Sequence, residues 1–428
     1  MTARPPIDDP RLAAGPVQRR SLYPALSLLM IAPIIFIVYW PAAHGLDVTG
    51  HPIGRDFINV WSGPRLAFGG RLMTLFDLSG YHTAIGELFG HKLPFHNWGY
   101  PLFVLPAFWP LAQLPYFWAL AVWTVGLFAA FAWVAVSQIE PRERWTAVLV
   151  LALAPASLIN IVGGQNGFLS AALLLGGVLA IDRRPVLAGV MFGLLTFKPQ
   201  LGIALPFVLV MLGAWRVIAS ATVTVVVLVG LSFAMFGVEP WRQYIEVAGH
   251  YQVMLLEHFG NGFYALMMSS VTAGARTFGL SYPVALAIQA VVSSVVLAGT
   301  CWAVRRTADP CRRAFVLACA ATLITPYAFD YDLTAIAVCL VWIMFGRLPW
   351  RPAWTGIYLL AWLSPTLMMY VNAAGVGVMP LVQIALFGLS LREAASDPVA
   401  STPAARPPIS LSLTRSSESS TGQAAAPV

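Results

Sequence analysis

Arg55 and Asp56 stand side by side in GRDFINVWSG (residues 54–63), in a chain of which only 10% is charged. A carboxylate kept between a hydrophobic run and an amphipathic one has two readings. It can favour the N-terminus of the helix that follows, or, partly buried, it can take a proton from a hydroxyl as a general base. Lys198, in LLTFKPQLG, is embedded between two apolar stretches, where an ionisable side chain is costly and by default marks a functional site. Pro199 and Gln200 break the helix beside it, so its ammonium can reach an anionic head group; the plainer alternative is a lysine that snorkels to the interface. Gln165 and Asn166, in GGQNG between two apolar runs, carry amides that both donate and accept, which suits sugar hydroxyls. A tight turn explains the same motif more simply. Asn97 and Tyr100 in NWGYPLFVLP, and His258 and Asn261 in HFGNGFYALMMSS, add further polar groups. Asp330 and Asp332 in TPYAFDYDLT lie at the end of a helix pair, where an N-cap accounts for at least one of them.

These residues need elements to hold them. Of 428 residues 58% are hydrophobic, with 15 Trp and 24 Phe, and apolar stretches long enough for a hydrocarbon core of about 30 Å recur from Leu22 almost to Arg392. That excludes a soluble globular chain, and the lack of short alternating segments excludes a transmembrane barrel. The fold class expected is an all-α polytopic membrane protein. The first run, residues 22–41, is too long for a secretory signal and lacks its small-residue cleavage site, so it stays as a span. Cys301, Cys311, Cys319 and Cys339 show no paired short spacing, which suggests neither a disulfide framework nor a zinc site. The net charge of +7 reflects orientation in the membrane rather than nucleic-acid binding, because cytoplasmic loops collect Lys and Arg.

Placing the basic clusters (Arg19 and Arg20, Arg142 and Arg144, Arg183 and Arg184, Arg216, Arg305 and Arg306, Arg312 and Arg313, Arg347 and Arg351, Arg392) in the cytoplasm predicts about twelve spans, with both termini inside. They fall near 22–41, 115–137, 146–160, 168–181, 186–197, 201–213, 217–236, 282–304, 313–328, 333–345, 354–370 and 378–391. Residues 186–213 read equally as a re-entrant hairpin or a broken helix. Two longer segments, 42–114 and 237–281, then lie outside, are rich in Trp, Phe and Tyr, and hold all seven histidines. Loops of that length are functional or disordered. The spacing of Phe57, Val60, Trp61, Leu66 and Phe68, and of Trp241, Tyr244, Ile245, Val247, Ala248 and Tyr251, predicts interfacial amphipathic helices. Residues 22–393 form the membrane domain. The tail 394–428, rich in Ser, Pro, Ala and Thr, and the segment 1–21 are expected to be disordered cytoplasmic extensions.

The chain has no Walker loop, dinucleotide fingerprint, HExxH or nucleophile elbow. Nucleotide-sugar and ATP chemistry are unsupported, no cofactor is expected, and a lipid-borne substrate fits better. A multi-pass transporter or flippase is the rival reading, since broken helices with polar residues between spans also describe carriers. Against it, the polar residues cluster at one membrane face and no internal repeat is visible.

A long first outer loop with an early Asp, YP near its end, then GQNGFLSAALLLGGVLA, LAGVMFGLLTFKPQLG and an Asn-Gly segment after a second outer loop resembles the GT-C membrane glycosyltransferases. The match is to glycosyltransferase family 87, polyprenol-phosphate-mannose-dependent α-mannosyltransferases of bacteria, and runs from about Leu22 to Arg392. The resemblance implies a GT-C fold and an inverting transfer of a hexosyl, mannosyl in the family, from a polyprenyl-phosphate donor to a glycolipid or glycan acceptor, in the inner membrane with the site facing the periplasm. It implies Asp56 as the base and Lys198, with His258 or Arg55, against the departing phosphate. Gln165, Asn166, Tyr100, Asn97, Asn261 and Asp330 are the candidates for binding sugar or acceptor, and no metal is demanded. Here Tyr100 and Pro101 precede Leu102 where relatives often show a second proline, and the Asn-Gly segment departs from the family's Asn-Gln-Ser.

Overall fold

The computed structural model describes residues 15–39, 44–258 and 262–397. Among these no strand forms; two isolated bridges, Leu46 with Pro52 and Met268 with Phe329, pin loops together. Asn261 and most of both predicted tails lie outside the described residues, although the first helix, α1 (Gly15–Tyr39), starts before the predicted span.

Three helices form the inside of the bundle: α8 (Gly167–Ala180), α16 (Pro310–Leu323) and α17 (Thr334–Met344), each with nearly every side chain buried. The sequences of α8 and α17 are apolar on every face, which is what an enclosed helix requires, while α16 adds Arg312 and Arg313 in its first turn, bonded to Glu393 O and Asp182. Around them stand α5 (Tyr116–Val136), α11 (Trp215–Phe236) and α15 (Tyr282–Val304), which turn Trp118, Trp133, Val226 and Val291 outward. α9 (Pro185–Leu194) lies against α11 because Gly189 meets Val217 and Ser220 while Gly193 meets Ala221 and Thr224; small residues let two backbones approach closely.

All the predicted spans contain helix, yet among the described residues only four helices are long and apolar enough to cross a membrane: residues 18–36 of α1, α5, α11 and α15. A fifth crossing would be the pair α6 (Arg144–Ala152) and α7 (Pro155–Gly163), which with the turn before it bends by 60°. The expected count of twelve is not supported by helix length. A helix of 14 residues such as α8 or α16 reaches about 21 Å, short of a core of about 30 Å. The apolar character of these runs reflects burial among other helices. Residues 186–213 are a broken helix: α9 gives way to two tight turns around Lys198 before α10 (Leu205–Met211) resumes.

One end of the bundle is laced by charge. Arg20 pairs with Glu143, Arg313 with Asp182, Arg347 with Asp309 and Arg351 with Glu393, which brings the basic clusters of several connections to the same side. The opposite end carries the two long segments. The first folds into α2 (Phe57–Leu66), α3 (Leu78–Phe89) and α4 (Val104–Ala112). α2 is not the interfacial helix its spacing predicts: nine of its ten residues are buried, because α3, α4 and α5 enclose its polar side as well. The second segment forms α12 (Glu239–Glu257), α13 (Phe263–Met267) and α14 (Val271–Thr277). α12 packs Trp241, Tyr244 and Val247 against the core and buries Tyr251 and Leu256, but leaves Ile245, which the spacing places on the same stripe, exposed. The last two helices, α18 (Thr355–Ala373) and α19 (Met379–Ala395), close the bundle.

Candidate active site

The loop before α2 is organised by a buried carboxylate. Asp47 accepts from Thr49 N at 2.8 Å, Thr49 Oγ1 at 2.6 Å and His51 N at 3.2 Å, and its second oxygen meets the Arg55 guanidinium at 2.8 Å. This pairing holds Arg55 at a φ of 32°, a left-handed conformation that a non-glycine residue rarely adopts. The chain thus turns sharply enough for Asp56 N to donate to Gly163 O at 3.2 Å, which ties the first outer loop to the GGQNG turn. Gly164 makes that approach possible: its φ is 58°, and a Cβ there would collide with the Gly54 carbonyl and the Phe57 Cβ.

Asp56 occupies the N-cap position of α2, but its backbone is already helical and its side chain makes no cap bond. Instead Oδ2 accepts from Gln165 Nε2 at 2.5 Å. The carboxylate stands at the helix N-terminus without a capping hydrogen bond. Asn160, buried in α7, braces the same turn. Its Nδ2 donates to Ala156 O, Tyr331 O and Thr334 Oγ1 at 2.8, 3.2 and 2.9 Å, and its Oδ1 accepts from Gly167 N at 2.7 Å.

From Asn166 a second chain of bonds begins. Its Nδ2 donates to the Tyr100 hydroxyl at 2.9 Å and its Oδ1 accepts from Lys198 Nζ at 3.0 Å. Lys198 Nζ also meets Asp332 Oδ1 at 2.5 Å and lies 4.3 Å from the centroid of the Tyr331 ring. This lysine is buried and ion-paired in the wall of a cavity, not a side chain that snorkels to an interface. The other Asp332 oxygen accepts from Phe329 N at 3.1 Å, so Asp332 combines the capping role with the pair. Asp330 accepts from Tyr331 N at 2.8 Å through Oδ1, while its buried Oδ2 has no hydrogen-bond partner among the described residues. Burial pushes the Asp330 carboxyl well above the usual carboxylate range; the Tyr331 N–H opposes this and the charges of Asp332 and Asp56 reinforce it. Burial likewise raises the Tyr100 phenol, with Asp56 adding to the effect, so Tyr100 keeps a proton to donate.

Two cavities meet at Asp56. One, of about 230 Å³, is polar and aromatic; Asn59, Asn97, Tyr100, Asn166, Lys198, Gln200 and the tyrosines 244, 251, 327 and 331 line it. The other, of about 150 Å³, is largely apolar, with Ile31, Ile34 and Ile35 of α1, Ile159 and Val162 of α7 and Met369 of α18. His51, Arg55, His96, Asp330 and Thr366 supply its polar groups. Asp56, Gln165 and Tyr264 belong to both walls.

Of the site residues expected from sequence, the fold gathers Arg55, Asp56, Asn97, Tyr100, Gln165, Asn166, Lys198 and Asp330 around these cavities. It leaves out His258, which lies exposed at the end of α12 with Nδ1 3.3 Å from Met254 O and lines neither cavity. Asp47, Asn160, His51, His96 and Tyr264 were not singled out as site residues. An Asn amid the apolar run SLINIV was a usable signal for Asn160; the two histidines had none that separated them from the other five.

Fold and site define a helical membrane protein whose polar chemistry lies at one end of the bundle, opposite the charged one. A model of glycosyltransferase family 87 matches residues 98–326, more than half of the chain, and the chain belongs to that family. It is a membrane glycosyltransferase, acting between a sugar donor and an acceptor. The matched region includes Tyr100, Gln165, Asn166 and Lys198 and stops short of both Asp56 and Asp330. Searches of curated proteins and of solved structures found no match.

Proposed function

We propose that this enzyme transfers a hexosyl residue, mannosyl by the family resemblance, from a polyprenyl-phosphate sugar to a hydroxyl of a lipid-linked or glycan acceptor, with inversion. The reaction takes place at the periplasmic face of a bacterial inner membrane, and both termini are cytoplasmic. The observation that carries this reading is the place of Asp56, a carboxylate without a capping duty in the wall common to an apolar and a polar cavity. A prenyl tail has its natural partner in the isoleucine-lined cavity, and a hydroxyl-rich acceptor in the one built from amides and phenols.

The acceptor oxygen attacks the anomeric carbon as Asp56 takes its proton. The bond from that carbon to the phosphate oxygen breaks, and the electron pair leaves with the phosphate. Phosphate is a good leaving group, so positioning and electrostatics carry most of the rate. Gln165 orients the carboxylate through its 2.5 Å bond. Lys198, bound to Asp332 and Asn166, sets the shape of the polar cavity instead of contacting the leaving group.

The test uses purified, detergent-solubilised protein and a crude envelope lipid-glycan extract. Radiolabel is supplied either as polyprenyl-phosphate mannose or as a nucleotide-linked mannose. Label moves to the extract from the lipid phosphate and not from the nucleotide sugar; the reverse pattern overturns the donor assignment.

A further inference from the structure

The leaving group gains charge in this reaction: a phosphodiester with one negative charge departs as a monoester with two. The cations at hand are already matched, Arg55 by Asp47 and Lys198 by Asp332. Two histidines line the apolar cavity with Asp56, their rings 5.7 Å apart and edge-on. Their tautomers follow from their partners. His96 Nδ1 lies 2.8 Å from Pro94 O; a carbonyl only accepts, so Nδ1 carries the hydrogen. His51 Nδ1 lies 2.7 Å from Thr49 Oγ1, whose own hydrogen goes to Asp47, so His51 Nδ1 is also the donor. In both rings the unprotonated nitrogen is Nε2, and no protein group among the described residues bonds it.

We propose that His51 and His96 hold the donor's phosphate, each taking a proton at Nε2 and donating from it as the second negative charge develops. The inference rests on the lipid-phosphate donor read above. The surroundings of both rings favour the neutral form. Burial lowers His51, helped by Arg55 and His96 and opposed by Asp47 and Asp56. Burial also lowers His96, opposed by Asp56 and the Pro94 carbonyl and helped by His82 and Arg55. Asp330 and Tyr264 are the other titratable groups on this cavity. An anion placed between the rings favours the charged form of each, so donor binding draws in protons. His51, half-buried where His96 is enclosed, gives them a route from outside. Among the described residues no three His, Cys, Asp or Glu side chains are placed to hold a metal ion.

The experiment measures binding of farnesyl methyl phosphate, whose single charge does not titrate near neutrality, to the full chain carrying Asp56→Asn so that no turnover occurs. Farnesol is the neutral control. Affinity for the phosphodiester rises as pH falls from about 8 to 6, by up to about tenfold per pH unit for each proton taken up, while farnesol binding stays flat. Adding Asp330→Asn leaves the slope in place. Adding His51→Gln or His96→Gln, which keep an amide donor and the fold by thermal melting, lowers it, and the pair abolishes it. A flat profile in the parent, or an unchanged slope without the histidines, overturns the proposal alone. Failure of the parent to prefer the phosphodiester over farnesol overturns the lipid-phosphate donor as well.

Discussion

Replacing Lys198 with Met isolates the buried pair at the heart of the polar cavity. The side chains of Lys198 and Asp332 are 9% and 0% exposed, and their 2.5 Å contact is backed by the Asn166 bond and the Tyr331 ring. Removing one member of such a pair leaves a buried charge without its partner, which costs about 3–5 kcal/mol. Asp332 keeps the Phe329 N–H, which places Lys198→Met near the lower end, about 3 kcal/mol. The double variant Lys198→Met with Asp332→Asn removes both charges and keeps an acceptor for Phe329 N, so it falls within about 1 kcal/mol of the wild type. SDS-driven unfolding in mixed micelles, followed by tryptophan fluorescence, reads the wild type, Lys198→Met, Asp332→Asn and the double variant. A coupling of about 2 kcal/mol or more is expected. Purely additive losses, or a single variant as stable as the wild type, would refute the reasoning.

Three further outcomes follow from the same geometry. Gly164→Ala places a side chain at a φ of 58° and against the Gly54 carbonyl, so it loses more than the roughly 1–2 kcal/mol of left-handed strain alone and most of its transfer activity. Gly213→Ala, at a φ of 64° with open space around it, shows the strain by itself and keeps activity. Asn160→Ala strands Gly167 N in a buried turn and costs about 2 kcal/mol or more, read in the same unfolding assay. At the charged end, burial on its own would raise Asp309, but two Arg347 bonds at 2.9 and 3.0 Å and the N–H groups of Arg312 and Cys311 hold it below the ordinary 3.8. A depressed carboxylate stabilises fully above its unfolded value, and that contribution disappears as pH falls from about 4 through the folded value. Asp309→Asn flattens this acid limb of the stability profile.

Helices were legible wherever an apolar run was long, and α5, α11 and α15 match their predicted spans within a residue or two. The number of crossings was not legible, because α8 and α17 are as apolar as a lipid-facing helix while being enclosed by protein. α2 was misplaced for the same reason: its apolar stripe says which side packs first, not that α3 and α4 would cover the rest. At the site, Asp56 and the Gln-Asn turn stood out as polar groups in an oily chain, and Lys198 as a charge between apolar runs. Their pairings did not stand out. The Asp332 carboxylate that claims Lys198 lies 134 positions away, and the Gly164 approach that brings Gln165 to Asp56 depends on a contact spanning 109. Spacing along a chain carries no information on such contacts when the elements between them can pack in several ways.

The most direct test of the central claim compares wild type and Asp56→Asn for transfer of label from polyprenyl-phosphate mannose to envelope lipid-glycan extract, with donor binding measured on both. The amide keeps the shape and the contact with Gln165 but cannot take a proton. The account predicts that the variant folds, binds the donor as the wild type does, and loses transfer by about a hundredfold or more. Equal transfer by the two proteins would contradict Asp56 as the base.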